Sequence, residues 1–196
     1  MEIMEVSKRD MSIKAKKLRQ NGLIPGHVYG GHLEESVLLQ MDKNAVRQML
    51  LHKHIGSRLT LSMDGQKLPV QIKDKDVDSM TGEIRNISFQ ALAADQKVNS
   101  ICRIALLNTE KLTAMVEFMM TEISYASLPQ DMVDTIEIDT DGMQIGTVIT
   151  VGDLKELNND KIDLMTDKDE IVLRISDPKR YATAEPDEDA EEAVEE

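Results

Sequence analysis

The stretch AKKLRQNGLIPGHVYG, residues 15–30, places a basic run directly before an apolar segment. Pro25-Gly26 predicts a turn there, followed by a strand at Val28-Tyr29. The basic run begins earlier, because six Lys and Arg residues and a single acid lie between Lys8 and Arg19. Such a cluster is typical of a phosphate-binding surface, and a solvated surface without a ligand is the alternative.

The charge of the chain is distributed unevenly. The 196 residues carry a net charge of -13, which by itself argues against a nucleic-acid ligand. Residues 1–90, however, hold 14 Lys and Arg against 11 Asp and Glu, a net charge of +3. Residues 91–196 carry the remaining -16, and their last twelve residues, EPDEDAEEAVEE, contain eight acids and no base. The first part is therefore the candidate for binding an anionic partner.

The cysteine content and the hydropathy predict a cytoplasmic protein. Cys102 is the only cysteine, so no disulfide can form within the chain. It stands in the apolar run Ile101–Leu106, which predicts a buried structural residue rather than a nucleophile. No stretch approaches the roughly 20 apolar residues of a membrane span.

Residues 1–90 have the pattern of a small β-barrel or open sheet with one clear helix. Asp42 is the expected N-cap of that helix, which should end near His52-Lys53. Asp64-Gly65 and Thr81-Gly82 predict two turns between alternating strands. The apolar residues of these segments are Val37, Leu39 and Met41 in a strand, Ala45, Val46, Met49 and Leu50 in the helix, and Leu59, Leu61, Met63, Val70, Ile72, Ile84, Ile87 and Phe89 in later strands.

Residues 91–180 predict a second, all-β domain, a sandwich or a barrel. Only Asp153–Leu157 suggests a helical turn in this part. Residues 181–196 are too acidic and too poor in apolar residues to fold alone, so we expect a disordered tail. The expected strands are Val98–Leu106, Met115–Tyr125, Thr135–Asp139, Val148–Val151 and Glu170–Ile175.

The sequence lacks the residue sets of a metal site or an enzyme. His52 and His54, like His27 and His32, have no cysteine pair or carboxylate cluster near them to complete a zinc site. Residues 139–142 are short of the ligands of a calcium loop and predict a tight turn. No catalytic triad or paired carboxylates stand out, so we expect a non-catalytic protein without a cofactor.

Residues 15–30 resemble the opening motif of the Ctc family, general stress and 5S-rRNA-binding proteins of the large ribosomal subunit. The shared features are the basic triplet, the glycine, Ile24-Pro25 and Tyr29-Gly30. Ile72-Lys73 and TGEIRNISF, residues 81–89, are similar to a second block of the family. Leu128-Pro129, Ile136–Asp139, Ile145-Gly146 and Val151–Leu154 are similar to the second domain of its longer members.

The resemblance implies an N-terminal β-barrel that binds loop E of 5S rRNA, followed by a second β-domain. It implies phosphate contacts for Lys16, Lys17 and Arg19, and added charge from Lys73 and Arg85. Tyr29 would stack on or hydrogen-bond to the RNA, with a place in the core as the alternative. The RNA-binding residues that the resemblance implies are Lys14, Lys16, Lys17, Arg19, Tyr29, Lys73, Asp76, Arg85, Asn86 and Ser88.

Several residues depart from the family's pattern. Asp76 stands where the family has Gln, Asn86 where it has His, and Ser88 where it has Asp. Met11-Ser12 replaces a Gly-Lys step, which displaces Lys14 by two residues. Because a carboxylate repels phosphate, we expect binding of 5S rRNA with altered or weakened recognition. The alternative is a stress-related paralogue that has lost this binding and acts through protein interactions.

Overall fold

The computed structural model describes residues 3–112 and 114–177. The first half contains two α-helices and seven strands. The helices are α1 (Ala15–Gln20) and α2 (Lys43–His52). The strands are β1 (Ile3–Glu5), β2 (Ser7–Lys8), β3 (Leu23–Tyr29), β4 (Val37–Asp42), β5 (Arg58–Met63), β6 (Gln66–Val77) and β7 (Ile84–Ala91).

These strands form a closed barrel. Their order is β1-β5-β6-β7-β3-β4-β2, and β1 and β2 are consecutive parts of one extended segment. Ile3–Glu5 pairs parallel to β5 at one edge, and Ser7-Lys8 pairs antiparallel to β4 at the other. This single segment therefore joins both edges of the sheet and makes a barrel of six strands.

The barrel core follows the two-residue period of its strands. In β7 the side chains of Ile87, Phe89 and Ala91 are buried, while the alternate residues Asn86 and Ser88 face outward. Helix α2 covers one end of the barrel with Val46 and Met49. Asp42 caps α2 as predicted, because its carboxylate accepts hydrogen bonds from the backbone N–H groups of Asn44 and Ala45.

The predicted turn at Pro25-Gly26 is wrong, because β3 runs straight through both residues. Pro25 lies opposite Gln40 in the antiparallel pair with β4, and Gly26 lies opposite Ile87 in the parallel pair with β7. A Cβ on Gly26 would lie 2.8 Å from the carbonyl oxygen of Ile87. The glycine permits close packing of the barrel wall instead of a change of direction.

The second half, residues 98–176, consists of two small sheets around a shared core of mainly aliphatic side chains. We name it the second unit. Its strands are β8 (Val98–Leu107), β9 (Met115–Phe118), β10 (Glu122–Ser127), β11 (Thr135–Asp139), β12 (Val148–Thr150), β13 (Ile162–Leu164) and β14 (Ile171–Ser176). The sheets have the orders β11-β8-β10-β13 and β12-β14-β9, and Cys102 is buried between them as predicted.

One predicted strand, Met115–Tyr125, is two strands. The backbone N–H groups of Met119 and Met120 both donate to the carbonyl of Val172, and the chain then passes from one sheet to the other. The helical turn expected at Asp153–Leu157 begins earlier, as a 3₁₀ turn at Val151–Asp153. The acidic residues 181–196 lie outside the described residues.

The barrel and the second unit contact each other through a polar junction. Arg58 donates a hydrogen bond to the carbonyl of Pro129 at 2.6 Å, and Asp134 lies 3.6 Å from both Arg58 and Lys53. Gln71, fully buried, donates from its amide to Gln90 and to the carbonyl of Asn99. The start of β8 therefore lies against the middle of β6, next to the outer face of the barrel.

Candidate nucleic-acid interface

The outward side chains of β3, β6 and β7 form one continuous polar face. His27 lies opposite Ser88 across the β3–β7 pair, and Ser88 lies opposite Asp74 across the β6–β7 pair. Two residues further along each strand, Asn86 lies opposite Asp76. We name this surface the polar face, and its members are His27, Tyr29, Asp74, Asp76, Asn86 and Ser88. Four of these six residues, Tyr29, Asp76, Asn86 and Ser88, are residues that the sequence analysis predicted to bind RNA.

An aromatic pair lies at one end of the polar face. The rings of His27 and Tyr29 stack with centroids 5.7 Å apart and planes inclined by 23°. Both side chains are half-buried and point outward, because Val28 between them is in the core. This placement favours contact with a ligand over a core position for Tyr29. Flat rings that are partly exposed are suited to stacking on a nucleobase.

Helix α1 presents cations at the other end of β3. Leu18 is buried and anchors the helix, while Lys14, Lys16 and Lys17 around it are exposed. None of these three lysines has a carboxylate within ion-pairing distance among the described residues. Arg19 is half-buried, and its guanidinium donates a long hydrogen bond, 3.4 Å, to the carbonyl of Arg85. The lysines therefore keep their charge available for an external anion.

Two other predicted cations are already engaged within the protein. The guanidinium of Arg85 forms an ion pair with Asp78 at the base of the β6–β7 turn. Backbone N–H groups of Thr81 and Met80, together with Arg85, hold the pKa of the Asp78 carboxyl below its usual range. Lys73 donates to the carbonyl of Asn99 in the second unit at 3.0 Å. The charge of Arg85 is therefore balanced within the protein, and one N–H group of Lys73 is already used as a donor.

The polar face also carries two exposed carboxylates, Asp74 and Asp76. The sequence had marked only Asp76. Asp74 could have been found from the alternation of Lys and Asp over residues 73–76, which places Asp74 and Asp76 on the same side of the strand. The bulge beside Lys73 decides that this side is the outward one. Phosphate groups near this part of the face are repelled, so an RNA ligand must present other groups to it.

Comparisons with known proteins match both halves of the chain. The large ribosomal subunit protein bL25 of Dictyoglomus turgidum is 32% identical over 92% of this chain and 93% of that protein. The chain belongs to the ribosomal L25p family. The model of the Ribosomal L25p family matches residues 4–89, and that of the Ribosomal protein TL5, C-terminal domain, matches residues 97–179. The bL25 proteins of Methylobacillus flagellatus and Listeria monocytogenes are 32% and 25% identical over 87% and 90% of this chain and 86% of each relative.

Membership of the ribosomal L25p family confirms the resemblance drawn from residues 15–30 and 72–89. The chain is a ribosomal, RNA-binding protein and not an enzyme, and its expected place with cytoplasmic ribosomes follows from the family. No helix of the described part is long and apolar enough to cross a membrane. No group of three or more His, Cys, Asp or Glu side chains in that part is arranged to hold a metal ion.

Proposed function

We propose that this protein binds the loop E region of 5S rRNA within the large ribosomal subunit, with recognition altered by its own acidic residues. The observation that carries the proposal is the continuity of the polar face with helix α1. Neutral hydrogen-bonding groups and two stacked rings lie along β3 and its neighbours, and helix α1 adds three lysines that form no ion pair among the described residues. That combination suits an RNA helix with exposed base edges.

The residues of this surface should differ in the groups of the RNA that they contact. Distorted RNA helices present base edges, 2′-hydroxyls and phosphates, and proteins recognise them by shape as well as by hydrogen bonds. Lys14, Lys16 and Lys17 would hold phosphates and set the position of the RNA. Asn86 and Ser88 can donate and accept hydrogen bonds toward base edges or 2′-hydroxyls.

The altered recognition is argued from Asp74 and Asp76. An ionised carboxylate accepts hydrogen bonds but cannot donate them. These two side chains can therefore accept from amino groups of bases or from 2′-hydroxyls, while they repel phosphates. We expect this end of the polar face to bind fewer kinds of RNA group than it would with a neutral amide, which can both donate and accept hydrogen bonds.

The test is a binding titration of the full chain against a 5S rRNA fragment that contains loop E. A plain duplex of the same length is the control, and each titration is run at two salt concentrations. Selective binding to loop E supports the proposal. Equal, weak and strongly salt-dependent binding to both RNAs would contradict it. That outcome would favour a protein-interaction role for the acidic second unit, which holds 6 Lys and Arg against 15 Asp and Glu in residues 98–176.

A further inference from the structure

The turn between β6 and β7 carries an apolar side chain that the rest of the protein leaves uncovered. We name residues 78–83 the β6–β7 turn. Met80 at its tip is 96% exposed, the highest value among the large apolar side chains of the described residues. Single exposed apolar residues are common on protein surfaces and do not by themselves indicate a function. The conformation, charge and position of the turn decide what Met80 can contact.

The backbone that presents Met80 is held in one conformation. The Asp78 carboxylate accepts hydrogen bonds from the backbone N–H groups of Met80 at 2.9 Å and of Thr81 at 3.2 Å. The backbone N–H of Asp78 donates to the carbonyl of Glu83, and that of Gly82 donates to the carbonyl of Asp78, both at 2.8 Å. Because these bonds already order the turn, a ligand that binds at its tip loses little affinity to the ordering of the backbone.

The two acids of the β6–β7 turn are balanced by cations. Arg85 forms an ion pair with Asp78. The Nζ atom of Lys43, at the start of α2, lies 2.7 Å from the Glu83 carboxylate and also ties the turn to that helix. The tip of the turn therefore carries no unbalanced charge of its own, and a contact made there depends on the apolar side chain of Met80.

The β6–β7 turn lies at the end of the polar face that is next to helix α1. Asp76 and Asn86, which lie opposite each other, are the last pair of the polar face before the turn. On the other side of the turn, Arg19 of α1 donates a hydrogen bond to the carbonyl of Arg85. An RNA that contacts both the polar face and the lysines of α1 is therefore brought close to the turn.

We propose that Met80 packs against the face of an unstacked base of the bound RNA and so positions the RNA at this end of the polar face. This inference rests on the proposed function, because it adds a contact to the same RNA. The thioether is polarisable and makes favourable contacts with aromatic rings, and Met is among the apolar side chains that proteins place against bases. Distorted RNA helices supply bases whose faces are free.

An apolar contact also agrees with the carboxylates of the polar face. Phosphates are repelled beside Asp74 and Asp76, so the RNA must present other groups there. A base is uncharged, and its face needs no hydrogen-bond partner. Met80 can therefore hold the RNA at a place where a lysine–phosphate contact would be opposed by the neighbouring acids.

The first experiment is a methionine footprint on the full chain with whole 5S rRNA. The protein is oxidised briefly with dilute hydrogen peroxide, with and without saturating RNA, and each methionine sulfoxide is quantified by mass spectrometry. Bound RNA should slow the oxidation of Met80 several-fold. Met165 of the second unit, which is 61% exposed, should oxidise at the same rate in both samples. Met11, which is exposed and precedes the first lysine of α1, reports separately on the proposed function.

The outcomes separate the two proposals. Slower oxidation of Met11 with an unchanged rate at Met80 would leave the RNA contact of α1 standing and overturn the role of Met80. Slower oxidation of Met80 alone would support the contact at the turn and contradict the assignment of α1. Unchanged rates at both residues would overturn both, and an equal slowing at Met165 would show that the RNA does not select the turn.

The second experiment compares Met80→Gln with Met80→Leu and with the matched surface control Met165→Gln. Gln has about the length of Met but is polar, whereas Leu stays apolar. Met80→Gln should weaken binding of 5S rRNA roughly two- to tenfold, as expected for the loss of a sulfur–aromatic contact. Met80→Leu should keep most of the affinity, and Met165→Gln should bind like the wild type.

The salt dependence distinguishes a base contact from a change in charge. Met80 neutralises no phosphate, so the slope of log K against log salt should be the same in Met80→Gln and in the wild type. Wild-type affinity of Met80→Gln would overturn the proposal, and so would a changed slope. Urea unfolding of the same variants should give the wild-type free energy, because the side chain is exposed, and this shows that weaker binding does not come from a loss of structure.

Discussion

The backbone of Ile101 occupies the space in which a side chain on Gly56 would lie. A Cβ added to Gly56 would overlap the carbonyl oxygen of Ile101, with the carbonyl carbon at 2.9 Å and the amide nitrogen at 3.0 Å. Ser100 completes the contact by donating its hydroxyl to the carbonyl of Gly56 at 3.2 Å. The first residues of β8 therefore pack directly on a barrel loop, backbone against backbone.

Gly56→Ala should consequently separate the two halves of the protein or unfold them. The obstructing atoms belong to the backbone and cannot turn away as a flexible side chain would. Gly65→Ala is a matched control, since Gly65 has a similar φ (+82° against +89°) and nothing within 4 Å of its added Cβ. The control should lose roughly 1 kcal/mol for the left-handed backbone alone. Urea unfolding measures the free energy of unfolding of the two variants. Equal decreases in the two would contradict the close packing at Gly56.

Lowering the pH should reduce the free energy of unfolding, and His54 should be the group responsible. Its pKa is lowered in the folded state, first by burial and then by Arg103 and Lys75, so the unfolded chain binds a proton more readily. Stability should therefore fall as the pH drops through the ordinary titration range of histidine, and this loss should level off below the folded pKa.

The control for this pH effect is His54→Gln, which cannot take up the proton. Unfolding free energies measured from pH 7.5 to 5 should differ less with pH in this variant than in the wild type. Parallel curves for the two proteins would show that His54 is not the responsible group.

Cations of the proposed RNA-binding surface that form ion pairs within the protein should contribute less to RNA binding than those that form none. Arg85→Gln should change the affinity for 5S rRNA little, because Asp78 already neutralises that charge. Lys16→Gln should weaken binding and lower the salt slope by about 0.7 to 0.9, as expected for one lost phosphate contact. Titrations at several salt concentrations compare them, and a larger effect of Arg85→Gln would reverse the assignment.

The combined change Asp76→Gln, Asn86→His and Ser88→Asp tests the departures from the family's motif. All three positions lie on the polar face, with Asp76 and Asn86 directly opposite each other. If these residues reduce recognition, the variant should discriminate loop E from a plain duplex more strongly than the wild type. An unchanged ratio of the two affinities would mean that other residues of the polar face choose the RNA.

Cys102 should report unfolding of the second unit without any engineered label. Burial raises the pKa of its thiol to about 11, and its side chain has no access to solvent. A thiol reagent at pH 8 should therefore react with the native protein at the rate of unfolding only. Fast labelling of the native state would show that the two sheets open locally.

Local sequence patterns predicted those strands and helices that are specified by their own residues. Period-2 alternation located β8 and β11 to within a residue, and Asp42 identified the start of α2. The short helix α1 was missed because only Leu18 on it is buried, too little to show a helical period. The break after Phe118 was missed because its cause is a contact with Val172, far along the chain, and no glycine or proline marks it.

The candidate site shows the same division. The resemblance to the family made Tyr29, Asp76, Asn86 and Ser88 candidates for RNA binding, and the strand register places Asp76 opposite Asn86. The engagement of Lys73 with Asn99 and of Arg85 with Asp78 depends on tertiary contacts that no local pattern contains. The sequence therefore predicted which residues are polar and outward, but not which charges remain free.

The extended segment of residues 3–8 has a consequence for the order in which the barrel folds during synthesis. Its two parts pair with β5 and β4, which leave the ribosome more than thirty residues later. Until Met63 has emerged, the earliest strand has no complete partner, and the wall of the barrel stays open along one side. Strand β7, which pairs with both β6 and β3, is the last strand of the barrel to emerge, so closure of the barrel and the appearance of β8 against Gly56 follow one another closely in time.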